Sequence, residues 1–442
     1  MQSLLSLSIA ILAGLLLSRL AKVLKLPAVT AYLVAGILVG PYVLGQFGIQ
    51  GLGFISEDDV KSYELLKEVA LGFIAFSIGN EFRLTQLKKI GKQATVIGIL
   101  QAVITTVLVD AVLITLHFIK PELITIEVAI VLGAIAAATA PAATLMVVKQ
   151  YKAKGNLTDI LLPVVALDDA VGLIIFSVSF GVAKSMGADH AIGVVSLLVP
   201  PLLEVVFSLL LGSAMGLLFH LCERFFHSRS KRLSVSVVFV LMTVGLSKIP
   251  MEPFGLEVAF SPLLVCMMLG TVFCNVCDVS EELMDRVDRW TAPLLVLFFV
   301  LSGAELMLDV FTKWMVLLVG VVYIISRSIG KYFGAFLSAK MTKSDPSIVK
   351  YLGITLLPQA GVALGMAMQA KNSVELGEFG ELIYNITLFA VLVYELIGPM
   401  LTKMSLVRTG DIQLDGAVSA REEAKIKKAK LPHTPRHHRH HS

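Results

Sequence analysis

Two aspartates stand side by side, Asp168 and Asp169, in the run LLPVVALDDAVGLIIFS (Leu161 to Ser177), which carries no other charge. An ionised carboxylate at bilayer depth costs about 3 kcal/mol or more, so such residues face a bundle interior or a wet cavity and mark a path for ions or protons. A carboxylate offers the same oxygen lone pairs to a proton or to a hard cation, so loading one expels the other. A complementary cation comes from SRSIGKYFGAF, where Arg327 and Lys331 lie one turn apart on one helical face. Arginine keeps its charge and suits carbonyls or a carboxylate, whereas lysine can release a proton, so Lys331 is the candidate for proton coupling. Two further stretches place a proline among small residues in mid-span: ATAPAATL (Ala138 to Leu145), with Thr139, Ala140, Pro141 and Thr144, and LLPQAGVALG (Leu356 to Gly365), with Pro358, Gln359 and Gly361. Proline removes a backbone donor and clashes with the preceding turn, so both spans read as helices broken where they cross. At about 1.5 Å of rise per residue, Asp168, Pro141, Pro358 and Lys331 all fall roughly 10 to 15 Å below the same membrane face.

The elements that must position these groups follow from composition. With 56% hydrophobic and 16% charged residues, and a mean hydropathy of +0.83, the chain is an all-α polytopic membrane protein. The net charge of +4 reflects basic loops and calls for no nucleic acid. Apolar windows of span length occur about thirteen times along the 442 residues. Lys22, Lys25, Arg83, Lys88, Lys89, Lys92, Lys149, Lys152, Lys154, Arg224, Arg229, Lys231, Arg232, Lys340 and Lys343 all fall on one side of these windows. The positive-inside rule then puts the N-terminus outside and the C-terminus in the cytoplasm of a multi-pass cell-membrane protein. An odd count starts spans 1 to 6 and 8 to 13 on opposite sides, which is the topology of inverted repeats, with the two broken spans at matching places. The first apolar run has no basic leader and is about twenty residues long, as a retained span would be. Cys222, Cys266, Cys274 and Cys277 read as reduced packing residues, and neither a cofactor nor a metal beyond a transported ion is expected.

Four motifs carry a family resemblance: LPAVTAYLVAGILVGP (Leu26 to Pro41), LGFIAFSIGNEF (Leu71 to Phe82), PLLVLFFVLSGAEL (Pro293 to Leu306) and LPQAGVALGMA. Together with the paired aspartates, they make residues 1 to about 405 resemble the monovalent cation:proton antiporter superfamily, nearer its second branch of bacterial sodium/proton antiporters and potassium-efflux relatives. The resemblance implies a moving core of spans at about 95–184 and 313–404. It also implies a dimerisation unit at about 3–81 and 232–308, a linker span at about 191–221 and a homodimer. It further implies that Asp169 carries the cation or proton, that Asp168 occupies the position that is Asp in electrogenic relatives, and that Lys331 is the basic residue facing the pair. Ala140 stands where several relatives have an acid, which leaves that crossing to Thr139, backbone carbonyls and helix ends.

The expected activity is exchange of a monovalent cation, sodium first with lithium or potassium as alternatives, for protons by electrogenic alternating access. The chain is not expected to be an enzyme: an intramembrane protease needs aspartates facing each other from different helices, whereas neighbours on one helix diverge by about 100°. A cation channel or ion sensor on the same fold is the rival of a different class. Asp110 and Glu395, in core spans, are candidate relays along with Arg327; Glu305 is expected to be solvated at the mouth of its span, and Glu204 has no assigned role. From residue 406 to 442 the chain turns polar and His-rich, a stretch expected to be a cytoplasmic tail and not a nucleotide-binding domain.

Overall fold

A computed structural model describes residues 2–24, 26–49, 51–80, 82–187, 194–249, 260–278, 280–306, 313–374 and 376–413. All regular structure among them is helical. In chain order the helices are α1 (Gln2–Val23), α2 (Ala28–Val39), α3 (Glu57–Lys61), α4 (Glu64–Asn80), α5 (Leu84–Ile119), α6 (Ile126–Ala136), α7 (Pro141–Tyr151) and α8 (Asn156–Gly187). There follow α9 (Val194–Glu223), α10 (Arg229–Ser247), α11 (Pro262–Val276), α12 (Ser280–Ala304), α13 (Trp314–Met341), α14 (Pro346–Thr355), α15 (Gly361–Lys371) and α16 (Glu378–Arg408).

Among the described residues, nine stretches are long and apolar enough to cross a membrane, one of them spanning α6 and α7 together. That is fewer than the thirteen windows of the sequence, and local causes account for three of the four missing. Gly40 is extended, at ψ 172°, because Pro41 disfavours helix in the residue before it, so α2 ends at Val39 although apolar sequence continues to residue 46. The helix α4 has 17 residues with a charged first turn, and α14 and α15 are separated by an irregular stretch. Conversely, α12 starts at Ser280, ten residues before the apolar window at about 290–308, as an amphipathic entry with Glu281 and Glu282 in its first turn, where carboxylates favour a helix N-terminus.

Close helix crossings depend on glycine at two places. A side chain on Gly36 of α2 would strike the backbone of α12 at Val300 to Ala304, and one on Gly303 of α12 would strike α2 at Leu33. The pair Gly79 of α4 and Gly270 of α11 does the same, against Met267 and Phe76. Small residues let membrane helices approach where lipid supplies no hydrophobic drive for association. Around α5, α6, α13, α15 and α16 lies one apolar cluster that includes Leu132, Tyr323, Met366 and Phe389. Around α4, α9, α10 and α11 lies another, with Phe76, Phe219 and Phe273. The helices α2, α7, α12 and the first half of α8 share a third, through Val39, Leu145, Leu161 and Phe299.

Beyond the expected end of the membrane region, α16 runs on to Arg408 and the chain folds back. The Asp411 carboxylate accepts from the Thr158 amide and hydroxyl, both at 2.7 Å, at the start of α8. The His-rich stretch at 414–442 lies outside the described residues.

Candidate functional site

The helix α6 stops at Ala136 and α7 starts at Pro141, whose fixed φ and missing N–H suit a first helical position. Between them, the carbonyls of Ala136, Ala137 and Ala138 lose their intrahelical donors, as the end of any helix requires. Two cations of α13 supply replacements. Arg327 donates to Ala136 O at 3.0 Å, to Ala138 O at 2.7 Å and, across the crossing, to Leu357 O at 2.8 Å. Lys331, one turn on, donates to Ala137 O. Positive charge at a helix C-terminus is also favourable to the helix dipole. The second break lies between Thr355 and Gly361, and the two breaks meet: the Ala140 amide donates to Pro358 O at 2.8 Å, and Thr139 Oγ1 lies 3.3 Å from Leu356 O. Gln359 Nε2 reaches Ile135 O at 3.0 Å and the Tyr323 hydroxyl at 3.1 Å. Thr144 points its hydroxyl back to Ala140 O within α7, at 3.3 Å. Gly361, the first residue of α15, has open space where a side chain would be. The α7 and α15 N-termini therefore start at the crossing, and their dipoles place partial positive charge there.

Asp168 reaches this layer from the middle of α8. Its Oδ2 lies 2.7 Å from Lys331 Nζ and accepts from the Thr139 hydroxyl, while Oδ1 accepts from the Gln101 amide of α5. Lys331 Nζ also lies 3.0 Å from Gln101 Oε1 and 2.9 Å from Thr139 Oγ1. Asp168, Lys331, Gln101 and Arg327 are fully buried and Thr139 nearly so. A buried ion pair survives only when further hydrogen bonds satisfy its remaining lone pairs and protons; here Gln101, Thr139 and Ala137 O do so. Asp169 follows in the same helix, and its side chain lies outside the described residues.

Four residues read in the sequence as features of one layer, Asp168, Lys331, Pro141 and Pro358, are thus brought together, with Thr139, Ala140 and Arg327 among them. Gln101 belongs with them and was not singled out in the sequence. Its signal is a lone amide in the apolar stretch ILQAVITTVL (Ile99 to Leu108), and an unpaired amide at that depth would be costly.

The other acids sit elsewhere. Asp110 of α5 lies against α6 at Gly133, and its Oδ1 has no hydrogen-bond partner among the described residues. Glu395 is buried in α16 and lies within electrostatic reach of Lys67 and Glu305. Glu204 is half-buried in α9. Glu305 is not the freely solvated residue expected: it is paired with Lys67 of α4, and both side chains are about three-quarters shielded. None of the four cysteines is joined in a disulfide.

A second lysine–aspartate pair lies at the end of α7. Lys149 Nζ is 2.6 Å from Asp288 Oδ1 of α12 and donates to Ser77 Oγ of α4, which in turn donates to the same Asp288 oxygen at 2.6 Å. The pair borders a cavity of about 1020 Å³ between α7, the first turns of α8 and α12, also lined by Lys152, Asp159, Pro163 and Arg289.

Chemically, among the described residues the crossing brings the Asp168 carboxylate against Lys331, in a layer where broken backbone and helix ends surround them. Comparisons with known proteins bear on the chain as a whole. The family described as sodium/hydrogen exchanger, transmembrane, matches residues 7–408. The K(+)/H(+) antiporter subunit KhtU of Bacillus subtilis is 22% identical over 395 residues, 88% of this chain and 90% of that protein. The ammonium/H(+) antiporter subunit AmhT of Alkalihalophilus pseudofirmus is 26% identical over 286 residues, 64% of this chain and 65% of that one. The fold resembles that of the sodium proton antiporter MjNhaP1 from Methanocaldococcus jannaschii, with a TM-score of 0.63 at 20% identity over 92% of this chain and 96% of that one. With broken helices crossing beside a buried ion pair and a match over nearly its whole length, the chain belongs to the sodium/hydrogen exchanger family of membrane-spanning cation/proton antiporters.

Proposed function

We propose that the protein exchanges a monovalent cation, sodium in the first instance, for protons by alternating access, and that the exchange is electrogenic. The observation that carries this reading is the buried Lys331–Asp168 pair at the helix crossing. Asp169, one residue on, takes either the cation or a proton. A cation arriving there competes with Lys331 for the local negative charge, weakens the lysine's hold on Asp168 and favours release of the lysine's proton. Two protons then move against one cation. Hard oxygen ligands, from the carboxylates, Thr139 and carbonyls at the breaks, suit a small alkali ion.

In this proposal the core, at about 95–184 and 313–404, moves against a unit formed by about 3–81 and 232–308, with α9 as the link. The latter unit pairs two copies of the chain in the plasma membrane, with the N-terminus outside and the C-terminus in the cytoplasm. Potassium or ammonium is the second reading, favoured by the relatives KhtU and AmhT, whose names specify those ions.

Purified protein in proteoliposomes, offered Na⁺, Li⁺, K⁺ or NH₄⁺ under a proton gradient, tests both. Sodium-dependent proton release that quickens under an imposed membrane potential is the expected result, with Lys331→Gln retaining some exchange but losing the voltage response. Release driven only by K⁺ or NH₄⁺ transfers the proposal to that ion. Cation current without need of a proton gradient would establish a channel instead.

A further inference from the structure

The sequence places Lys149 among cytoplasmic loop charges, where a lysine is usually solvated, yet it is three-quarters shielded and bound to two helices of the other unit. Its neighbours reach the same way. Gln150 Oε1 accepts the Ala28 amide at the start of α2, at 2.8 Å, and the Tyr151 hydroxyl lies 3.3 Å from Leu26 O. Three consecutive residues at the end of α7, the helix that leaves the first break, therefore grip α2, α4 and α12. Between these helices lies a narrow gap lined by Phe73, Ala142, Lys149, Asp288 and Thr291, and beside it the larger cavity opens.

We infer that Lys149, Asp288 and Ser77 form a latch between the two moving units, one that must open whenever the core shifts and that holds the conformation described above. The inference rests on the alternating-access reading. It is drawn from geometry: α7 follows directly on Thr139 and Ala140 at one end and carries Lys149 of the latch at the other, so the crossing cannot travel relative to α4 and α12 while Lys149 stays within hydrogen-bond reach of Asp288. A shift of a few ångströms breaks every bond in the triad, because each spans less than 3 Å. Ser77 makes the latch more than a lone surface pair, since one hydroxyl serves both charges at once, accepting from the lysine and donating to the aspartate.

The test reads the seam directly. Thr291, buried in α12 and facing the gap, is changed to cysteine in a background without native cysteines, and its rate of modification by a small thiol reagent is measured in the purified protein. Lys149→Gln and Asp288→Asn should each raise that rate by about threefold, by depopulating the latched state, and the exchanged pair Lys149→Asp with Asp288→Lys should bring it back towards the parent. A direct electrostatic influence on the thiol would move the two single variants in opposite directions, so a rise in both marks opening. Unchanged rates in both single variants, opposite shifts, or an exchanged pair that folds but stays fast would each overturn the latch. Exchange in proteoliposomes is followed separately: a working antiporter with no labelling change rejects the latch alone, whereas the expected labelling pattern without exchange rejects the antiport reading and leaves the latch standing.

Discussion

Two lysine–aspartate pairs of nearly equal length lie along α7, one beside the α6–α7 break where the helix begins and the other at its far end. Lys331 and Asp168 meet at 2.7 Å with neither side chain exposed, and Lys149 and Asp288 meet at 2.6 Å with about a quarter and a third of their side chains exposed. Distance alone would make them equivalents. Their surroundings make them opposites. The inner pair has lost its water and depends on Gln101, Thr139 and Ala137 O, so removing either charge strands the other in an apolar interior. The outer pair is partly exposed and borders the large cavity, where water can replace each partner with small loss. A transporter gains from this division: the inner pair can respond strongly to the arrival of an ion, while the outer one can be broken and remade in every cycle.

The largest expected effect concerns the residue beside the inner pair. Asp169→Asn keeps volume and polarity but cannot take up and release a proton, so exchange in proteoliposomes should fall to that of empty vesicles while the protein elutes as wild type does. Substantial exchange by this variant would remove Asp169 from the site. Next in size is the inner pair itself. Lys331→Met leaves Asp168 buried without its cation, and unfolding of the purified protein should become easier by about 3–5 kcal/mol. Adding Asp168→Asn should recover much of that loss, since a neutral pair no longer strands a charge. If the single change is as stable as wild type, the inner pair has water access and the contrast between the two pairs collapses.

How much of this was legible in the sequence follows from the same contrast. Asp168, Lys331, Arg327, Pro141 and Pro358 stood out because charge or proline in mid-span is anomalous, and counting helical rise put Asp168, Lys331, Pro141 and Pro358 in one layer. Gln101 was passed over because an uncharged amide is a weaker anomaly than a carboxylate, and nothing in its neighbourhood names its partners 67 and 230 residues away. Lys149, Ser77 and Asp288 were invisible as a group for another reason. Near span ends, basic and acidic residues are what solvated loops contain, and only tertiary packing shows which of them are shielded. Glu305 was misread on the same grounds, its partner Lys67 lying 238 residues away. Apolar windows located the helices but overestimated the length of α2, because hydrophobicity does not register the backbone restriction that Pro41 imposes at Gly40.

A smaller effect is expected at Arg327, whose planar fork serves three carbonyls on both sides of the crossing and stacks at 4.5 Å over the Tyr394 ring. Lysine keeps the charge but not the fork. Arg327→Lys should therefore cost about 1–3 kcal/mol of stability, the scale of a buried acceptor left without its donor. Thermal unfolding indistinguishable from wild type would show that charge alone, not the fork, holds the broken ends.

The smallest effect belongs to the outer pair, and a double-variant cycle measures it. Lys149→Gln, Asp288→Asn and the two together should give a coupling of about 0.5–1 kcal/mol in unfolding stability, at the upper end for partly exposed pairs because Ser77 fixes both partners. Raising the salt concentration should shrink that coupling, since water and ions reach the cavity beside it, whereas the same increase should leave the stability difference of Lys331→Met nearly unchanged. The two pairs are thereby separated by one variable that acts on solvent-accessible charge and not on buried charge. A coupling at Lys149 and Asp288 that is several kcal/mol and indifferent to salt would mean that the outer pair is as dry as the inner one, too costly to open in each cycle, and that α7 is anchored to α4 and α12 instead of moving past them.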